Sequence, residues 1–438
     1  MTTELPARVR RGYALGSVAT GTFGTVPGLL LLPYLTDEIG IGAALAGVLV
    51  FAPKAWDVVL NPVAGRISDR SRHRAGRRRP FLVRAGLALA ALFALMFAGP
   101  TEPSALAAAW VALAFLACAS AYAFFQVPYV AMPAELTLDY AERTRLMTWR
   151  VVVLALAILL SGATAPIVAE QLGHTAMGVY VGVVIAIGAL GAWWGTRGAP
   201  EHPTETAPGT LVDQLRLVGA NPDFRAVLLT FVAQAAAIGT VLAGVAYVAD
   251  DLLDSTAANT FLFVAFVGPA LLVTPVWERY AARRGKRSGY TVATGFLVVG
   301  MVLLLTAHEG WLVPTYVAAA LVGIGYAGAQ VFPMAMLPDV AADDAQRSGE
   351  NRIGVFTGVW TAGETLGLAL GPGIFALALA AGGYVSSTSD VTVDQPDGAR
   401  LAIAVGFSLV PAALTVLSLV LLRGYRLDER LRSADVPR

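Results

Sequence analysis

The sequence predicts an all-α membrane protein with twelve transmembrane helices in two six-helix bundles. Composition, hydrophobic runs and the placement of charge are the observations that predict it. Of the 438 residues, 56% are hydrophobic and only 14% are charged, whereas soluble globular proteins carry about 25% charged residues. Apolar segments of about 20 residues, long enough to cross a hydrocarbon core of about 30 Å, recur along the whole chain. Soluble fold classes are therefore excluded.

Twelve apolar segments are each long enough to span a bilayer with some tilt. Ten of them lack Asp, Glu, Lys and Arg: 12–36, 103–134, 151–169, 171–196, 226–249, 255–277, 288–307, 310–338, 365–389 and 401–422. The other two are 43–66 and 80–99. A cleaved signal peptide is not expected, because the apolar run behind Arg8, Arg10 and Arg11 is too long for one.

The Lys and Arg residues alternate between the two sides of the predicted membrane. The loops after even-numbered spans hold Arg70, Arg72, Arg74, Arg77, Arg78, Arg79, Arg143, Arg145, Arg197, Arg216, Arg283, Arg284, Lys286, Arg287 and Arg347. The loops after odd-numbered spans hold only Arg400. The positive-inside rule therefore predicts a multi-pass protein of a bacterial-type inner (plasma) membrane, with both termini cytoplasmic.

The two halves of the chain resemble each other. A polar segment, 197–222, separates residues 1–196 from residues 223–438, and we expect it to be a cytoplasmic linker between two six-helix bundles, the second of which carries a cytoplasmic tail. The fourth span ends in Gln126-Val127-Pro128 and the tenth in Gln330-Val331-Phe332-Pro333. Matches at the same place in each half are typical of parallel repeats.

Several classes of function are not indicated. The chain has no G-x-x-x-x-G-K-[ST] phosphate loop and no H-E-x-x-H motif, and its four histidines are far apart. Its one cysteine, Cys118, excludes an internal disulfide. We expect no enzyme activity, no metal and no cofactor, and no nucleic-acid partner. The expected partners are a small-molecule substrate and the lipid bilayer, with the chain acting as a monomer.

Charges inside the spans are the candidate functional residues, because a charge at the bilayer centre costs about 2.5–3.5 kcal/mol on insertion scales. Lys54 and Asp57 share one helical face of the second span and form either a coupling-ion site or a structural ion pair. Glu364, among glycines in the eleventh span, acts in transport or is a protonated side chain bonded to backbone. Arg150 binds substrate or extends to the cytoplasmic surface.

Aromatic and basic residues near these charges have two interpretations each. Trp56, Tyr129 and Trp360 could stack on a sugar ring, but helix packing explains such aromatics equally well. The basic loop 70–79 binds anionic lipid, and it could also close the cytoplasmic side through Asp69 and the acids Asp339, Asp343 and Asp344. We expect a cytoplasmic gate with these residues: Asp69, Arg70, Glu142 and Arg143.

Two motifs resemble a known family. The first is Lys54-Ala55-Trp56-Asp57 with Asn61-Pro62 and Gly65, and the second is Val127-Pro128-Tyr129 with Glu135-Leu136-Thr137 and Glu142-Arg143-Thr144-Arg145. They are similar to the glycoside–pentoside–hexuronide:cation symporters, the melibiose-permease-like family of the major facilitator superfamily, and the similarity runs from about residue 12 to 424. The resemblance implies the major facilitator fold and cation-coupled transport of glycosides or related solutes.

The resemblance also implies roles for single residues. Asp57 matches a carboxylate of the cation site and Arg150 an arginine of the sugar site. Asn61 and Gln126 fall where the family has acids. Glu364 falls near a position at which the family often has lysine. From these departures we expect a proton rather than sodium as the coupling ion, and symport of a sugar or glycoside by alternating access.

The predicted site follows from both lines of argument. We expect cation coupling at Asp57, Asn61 and Lys54. We expect substrate binding at Trp56, Gln126, Tyr129, Arg150, Trp360 and Glu364. Two alternatives remain: an exporter or carrier of a lipid-like or drug-like amphiphile on the same fold, and a membrane enzyme or scaffold.

Overall fold

A computed structural model of the chain is helical throughout, with no β-strand among the residues that it describes. These are residues 5–69, 71, 73–74, 76–137, 140–199, 216, 219–308, 310–348, 353–386 and 394–427. They divide into two compact units. Unit 1 comprises residues 1–208 and 386–393, and unit 2 comprises residues 209–385 and 394–438. Most of the predicted linker, 197–222, lies outside the described residues.

The described part of unit 1 holds five α-helices. They are α1 (Ala7–Pro33), α2 (Ala43–Asp69), α3 (Arg79–Met96), α4 (Ser104–Leu136) and α5 (Tyr140–Thr196). The 57-residue α5 is broken at Gly173, whose φ of 85° lies in a region that glycine adopts readily. Its apolar part, Trp149–Thr196, has 48 residues. At 1.5 Å per residue this is about twice the bilayer core, so α5 supplies two crossings.

Among its described residues, unit 2 has seven long α-helices. They are α6 (Pro222–Tyr247), α7 (Thr256–Arg284), α8 (Lys286–Leu303), α9 (Leu312–Ser348), α10 (Ile353–Ala381), α11 (Asp397–Phe407) and α12 (Leu409–Leu422). Only Ser408 separates α11 from α12, and together they form one apolar crossing, Asp397–Leu422. The described residues thus hold eleven long apolar helices, and counting α5 twice gives the twelve crossings expected.

The first helix of each unit ends in the same unusual turn. Helix α1 runs into a π-helical turn, Tyr34–Glu38, and α6 runs into another, Val248–Leu252. In unit 1 the Ile39 N–H donates to the Tyr34 carbonyl, and in unit 2 the Leu253 N–H donates to the Val248 carbonyl. Such turns are rare, so their recurrence at matching places supports a duplicated unit.

Glycine pairs bring helices together within each unit. A Cβ added to Gly12 of α1 would lie 2.3 Å from the Cα of Gly195 in α5. In unit 2, a Cβ added to Gly371 of α10 would lie 2.2 Å from the carbonyl carbon of Gly239 in α6. Contacts this close need residues without side chains, and helix packing in membranes depends on them. They define the distance between the helices that carry the candidate site.

Candidate functional site

Helix α2 carries three polar side chains on one face within its apolar length. Lys54, Asp57 and Asn61 are three and four residues apart, so they lie above one another along the helix. Asp57 is only 2% exposed. Asp57 Oδ1 and Asn61 Oδ1 are both buried without a hydrogen-bond partner. Buried polar atoms are nearly always paired, so two unpartnered oxygens on successive turns of one helix are an unusual feature of α2.

Lys54 sits among aromatic rings. Its ammonium nitrogen lies 5.2 Å from the ring centroid of Phe23 and 5.9 Å from that of Phe115, within the range of cation–π attraction. Lys54 and Asp57 are close enough to interact electrostatically, although no direct salt-bridge contact joins these two described residues. The geometry therefore differs from a closed structural ion pair: the cation is held by α1 and α4, one turn away from a carboxylate with an open oxygen.

Tyr129 lies in the core of unit 1 at the junction of α1 and α4. Its hydroxyl donates to the Tyr13 carbonyl and shares a hydrogen bond with the Ser17 hydroxyl, both at 2.9 Å. Its ring stacks on that of Tyr13 with 4.7 Å between centroids. The guanidinium of Arg150 lies 5.7 Å from the Tyr129 centroid. The structure thus brings Tyr129 and Arg150 together. The Tyr129 hydroxyl is hydrogen-bonded to other residues of the protein.

Gln126 is one turn before Tyr129 on α4 and is half-buried. Trp56 lies elsewhere: it is 40% exposed, and its indole N–H donates to the Ser120 hydroxyl at 3.2 Å. The Trp56 ring lines an apolar groove of ≈ 450 Å³ between α2 and α4, together with Val48, Leu113 and other apolar side chains. Trp56 is therefore on a different face of α2 from its neighbour Asp57.

Unit 2 carries its own polar group on α9 and α10. Trp360 is 2% exposed and stacks on Phe231 with 4.3 Å between centroids. Glu364, one turn further along α10, is half-buried and close enough to Tyr326 of α9 to interact with it electrostatically. The Tyr326 hydroxyl accepts a hydrogen bond from Gln330 Nε2 at 2.9 Å. Glu364 is therefore part of a polar cluster with a tyrosine and an amide.

The predicted cytoplasmic gate lies outside what the structure describes. Arg70 is not described, nor are the side chains of Asp69, Glu142 and Arg143. The described part of this region instead pairs Arg78 with Glu135, at 2.7 Å between Nη2 and Oε1, and the Glu135 side chain is 2% exposed. Glu135 Oε1 has no hydrogen-bond partner, so its contact with Arg78 is a charge pair only. Arg77 Nη1 lies 3.8 Å from the same oxygen.

Unit 2 has a counterpart of this pair. Lys286, at the start of α8, pairs with Asp339 near the end of α9 and also donates to the Ala335 carbonyl at 2.9 Å. Asp343 pairs with Arg347 of its own helix at 3.2 Å. Two of the acids expected to close against the basic loop of unit 1 thus have partners within unit 2.

Several residues of these clusters were not expected from the sequence. Tyr13 and Ser17 carry no visible signal, because their partner Tyr129 is distant in sequence. Glu135 belongs to the second motif, but its pairing with Arg78 was not expected. Tyr326 and Gln330 could have been found, since Tyr122-x-x-x-Gln126 recurs as Tyr326-x-x-x-Gln330. No group of three or more His, Cys, Asp or Glu side chains able to hold a metal ion occurs among the described residues.

Comparison with known proteins gives the family. The chain is 24% identical to the putative glycoside/cation symporter YagG of Escherichia coli, over 98% of this chain and 93% of that protein. It is also 24% identical to the mouse sodium-dependent lysophosphatidylcholine symporter 1, over 96% of this chain and 85% of that protein. The structure of the nucleoside transporter NupG matches with a TM-score of 0.68 and 12% identity, over 96% of this chain and 100% of that chain, which supports the fold.

The fold, the intramembrane charges and the two sequence motifs agree with these matches. A profile of the family described as "MFS/sugar transport protein" matches residues 12–429, nearly the whole chain. The melibiose-permease-like resemblance and the all-α major facilitator fold are thereby confirmed. The chain belongs to the MFS/sugar transport protein family and is a multi-pass membrane transporter of the major facilitator superfamily.

Proposed function

We propose that the protein is a symporter that couples uptake of a sugar or glycoside to a proton, not to sodium, by alternating access. It acts as a monomer in a bacterial-type inner membrane with both termini cytoplasmic. The observation that carries the proposal is the group on α2, in which buried oxygens of Asp57 and Asn61 lack partners and Lys54 is one turn away.

The charges of this group favour a proton. A metal cation requires several oxygen ligands and the loss of its hydration shell, and here a single carboxylate is available beside an amide. The Lys54 ammonium adds a positive charge near the same place, which repels a second cation. A proton needs only one oxygen. Binding of a proton to Asp57 would remove the charge of a 2% exposed carboxylate, which favours movement of α2 within the membrane.

Each unit, taken by itself, offers polar side chains with the donors and acceptors that sugar hydroxyls require. Unit 1 has Gln126 and Arg150, and unit 2 has Gln330 and Glu364. The match to the putative glycoside/cation symporter YagG supports this substrate class. Tyr129 would support the polar side chains of unit 1 and Trp360 those of unit 2, because both aromatic residues are buried.

The test is uptake of labelled glycosides, pentosides and uronides into proteoliposomes. We expect accumulation driven by an inward proton gradient and unchanged by a sodium gradient. Asp57→Asn should abolish accumulation while leaving exchange of substrate, and Asn61→Asp should add sodium dependence by restoring a second carboxylate. Glu170→Gln, at an exposed acid of α5, is the matched control. Accumulation by Asp57→Asn equal to that of the wild type would refute the proposal.

A second candidate is a carrier of lipid-like amphiphiles. The apolar groove beside Trp56, between α2 and α4, could accept an acyl chain. The similarity to the lysophosphatidylcholine symporter supports this alternative. Thermal unfolding of the purified protein separates the two, because a ligand of the folded state raises its apparent stability. Stabilisation by lysophosphatidylcholine and by none of the sugars would replace the sugar proposal with this one.

A further inference from the structure

A second groove lies on unit 1, away from the residues discussed so far. It runs between α3 and α4 and encloses ≈ 420 Å³. Ser71, His73 and Arg84 line it where the basic loop enters α3. Ala88 and Ala121 line it further along both helices. Because α3 begins at Arg79, these alanines are deeper in the predicted membrane than the loop. The groove is therefore polar and basic at its surface end and apolar at its inner end.

We propose that this groove binds an anionic phospholipid of the cytoplasmic leaflet. The lipid phosphate would contact Arg84, His73 and Ser71, and one acyl chain would lie against Ala88 and Ala121. The lipid is not the transported solute, and the proposal does not depend on what that solute is.

Charge supports an anionic headgroup. Arg84 is exposed on the second turn of α3, and none of the described residues pairs with its guanidinium. From Arg70 to Thr101 the sequence contains no Asp or Glu. Glu135 lies against Arg77 and Arg78, and no acid of the described part of the chain pairs with Arg84. A guanidinium binds phosphate through paired hydrogen bonds, and basic pockets between helices on the cytoplasmic side are places where acidic lipids bind.

The inner half of the groove supports a lipid over a free phosphate ion. Phe81 and Phe124 stack with 6.4 Å between centroids and 11° between ring planes, and both line the groove. The small side chains Ala85, Ala88 and Ala121 leave the space that an acyl chain would fill. A hydrated ion gains nothing from this apolar surface, whereas burial of the CH₂ groups of an acyl chain is favourable.

The position of the groove fits the depth of a lipid headgroup. Arg84 is five residues after Arg79, so it lies about 7.5 Å along α3 at 1.5 Å per residue. A long arginine side chain at this depth can extend to the level of the phosphates. The positive-inside rule places this end of α3 at the cytoplasmic leaflet, which is rich in anionic lipid.

The experiment measures lipid binding by the purified full-length chain. Dioleoylphosphatidylglycerol or dioleoylphosphatidylcholine is added in detergent, and binding is followed by the apparent Tm and by native mass spectrometry. We expect phosphatidylglycerol to raise the Tm and to remain bound, with little effect of phosphatidylcholine. Arg84→Gln should weaken phosphatidylglycerol binding about tenfold, as loss of a charged hydrogen bond does. Ala88→Leu should weaken it by filling the groove.

Two matched variants complete the design. Ala91→Leu adds the same bulk at an exposed position of α3 that does not line the groove, and Arg423→Gln removes an exposed cation after α12. Both should bind phosphatidylglycerol like the wild type. Equal binding of phosphatidylcholine, unchanged phosphatidylglycerol binding by Arg84→Gln and Ala88→Leu, or equal stabilisation by inorganic phosphate alone would each overturn the proposal. Because no transport is measured, these outcomes are independent of the symport proposal.

Discussion

Gly16 of α1 determines how closely Tyr129 can pack. A Cβ added at Gly16 would lie 2.4 Å from Cε2 of the Tyr129 ring, which is fully buried and bonded to Ser17 and Tyr13. The ring cannot move without breaking these bonds or shifting from beneath Arg150. At the residue scale, a single methyl group therefore tests whether the cluster is as tightly packed as the structure shows.

We expect Gly16→Ala to lower the unfolding free energy by about 1–3 kcal/mol, the usual cost of overpacking. Gly24→Ala is the control on the same helix, because a Cβ at Gly24 meets nothing within 4 Å. It should be neutral or slightly stabilising, since alanine favours helix. Thermal unfolding of the two variants in one detergent gives the comparison, and equal Tm values would contradict the packing described for Tyr129.

The sequence identified some of these residues and could not identify others. Lys54, Asp57 and Glu364 were visible because a charge within an apolar run is costly and therefore conspicuous. Their surroundings were not visible. Tyr129 bonds to residues 112 and 116 positions away in α1, and a single sequence carries no information on which helices pack together. Trp56 was predicted to bind substrate because it is an aromatic residue beside the charges of α2, and in the structure its ring lines the groove between α2 and α4.

At the scale of elements, apolar runs predicted the helices well and their breaks less well. The predicted boundary between the fifth and sixth spans was Glu170, the charged residue between two apolar runs, whereas the chain turns at Gly173, where φ is 85°. The division of the last crossing at Ser408 gave no signal, because a polar residue of this size is common within spans. A charged residue indicates that a helix end is near, whereas the position of the turn depends on the backbone conformation.

Two charge pairs tie neighbouring helices together, and their burial predicts their strength. Removing one partner of a buried pair costs about 3–5 kcal/mol, because the other charge stays buried without compensation. Exposed pairs contribute about 0–1 kcal/mol. Arg78 and Glu135 have side chains 8% and 2% exposed, whereas Lys286 and Asp339 are 29% and 26% exposed. The Arg78–Glu135 pair should therefore contribute more to the stability of the fold than the Lys286–Asp339 pair.

We expect Glu135→Gln to lower the unfolding free energy by about 3 kcal/mol and Asp339→Asn by about 1 kcal/mol or less. Glu170→Gln, which changes an exposed acid on α5, should have no effect. High salt should reduce the difference between Asp339→Asn and the wild type, because screening acts on exposed charges. If Asp339→Asn lowered the unfolding free energy more than Glu135→Gln did, burial would not determine which pair stabilises the protein more.

At the scale of the whole molecule, the two units repeat one design in detail that the sequence showed only weakly. Each has a π-helical turn after its first helix, a close glycine contact made by that helix, and a cation at the start of one helix paired with an acid near the end of the next. The acids Glu135 and Asp339 follow Gln126 and Gln330 by nine residues in both halves. Shared geometry of this kind is stronger evidence for duplication than similarity between two apolar sequences.

Duplication by parallel repeats requires six crossings in each half, so both halves begin on the same side of the membrane. The positive-inside rule predicts that this side is the cytoplasm. Arg74 and Glu102 are both exposed and lie in loops on opposite sides of α3. The chain itself is a suitable background for cysteine labelling, because its one cysteine, Cys118, is fully buried.

We therefore expect a membrane-impermeant maleimide to label Glu102→Cys in intact cells and Arg74→Cys only in inverted vesicles, with the wild type unlabelled in both. Each variant retains the other loop arginines that direct its orientation, so labelling reports the native topology. Labelling of Arg74→Cys in intact cells would reverse the orientation. The phospholipid groove between α3 and α4 would then face the outer leaflet, and the proton gradient would act on Asp57 from the opposite side.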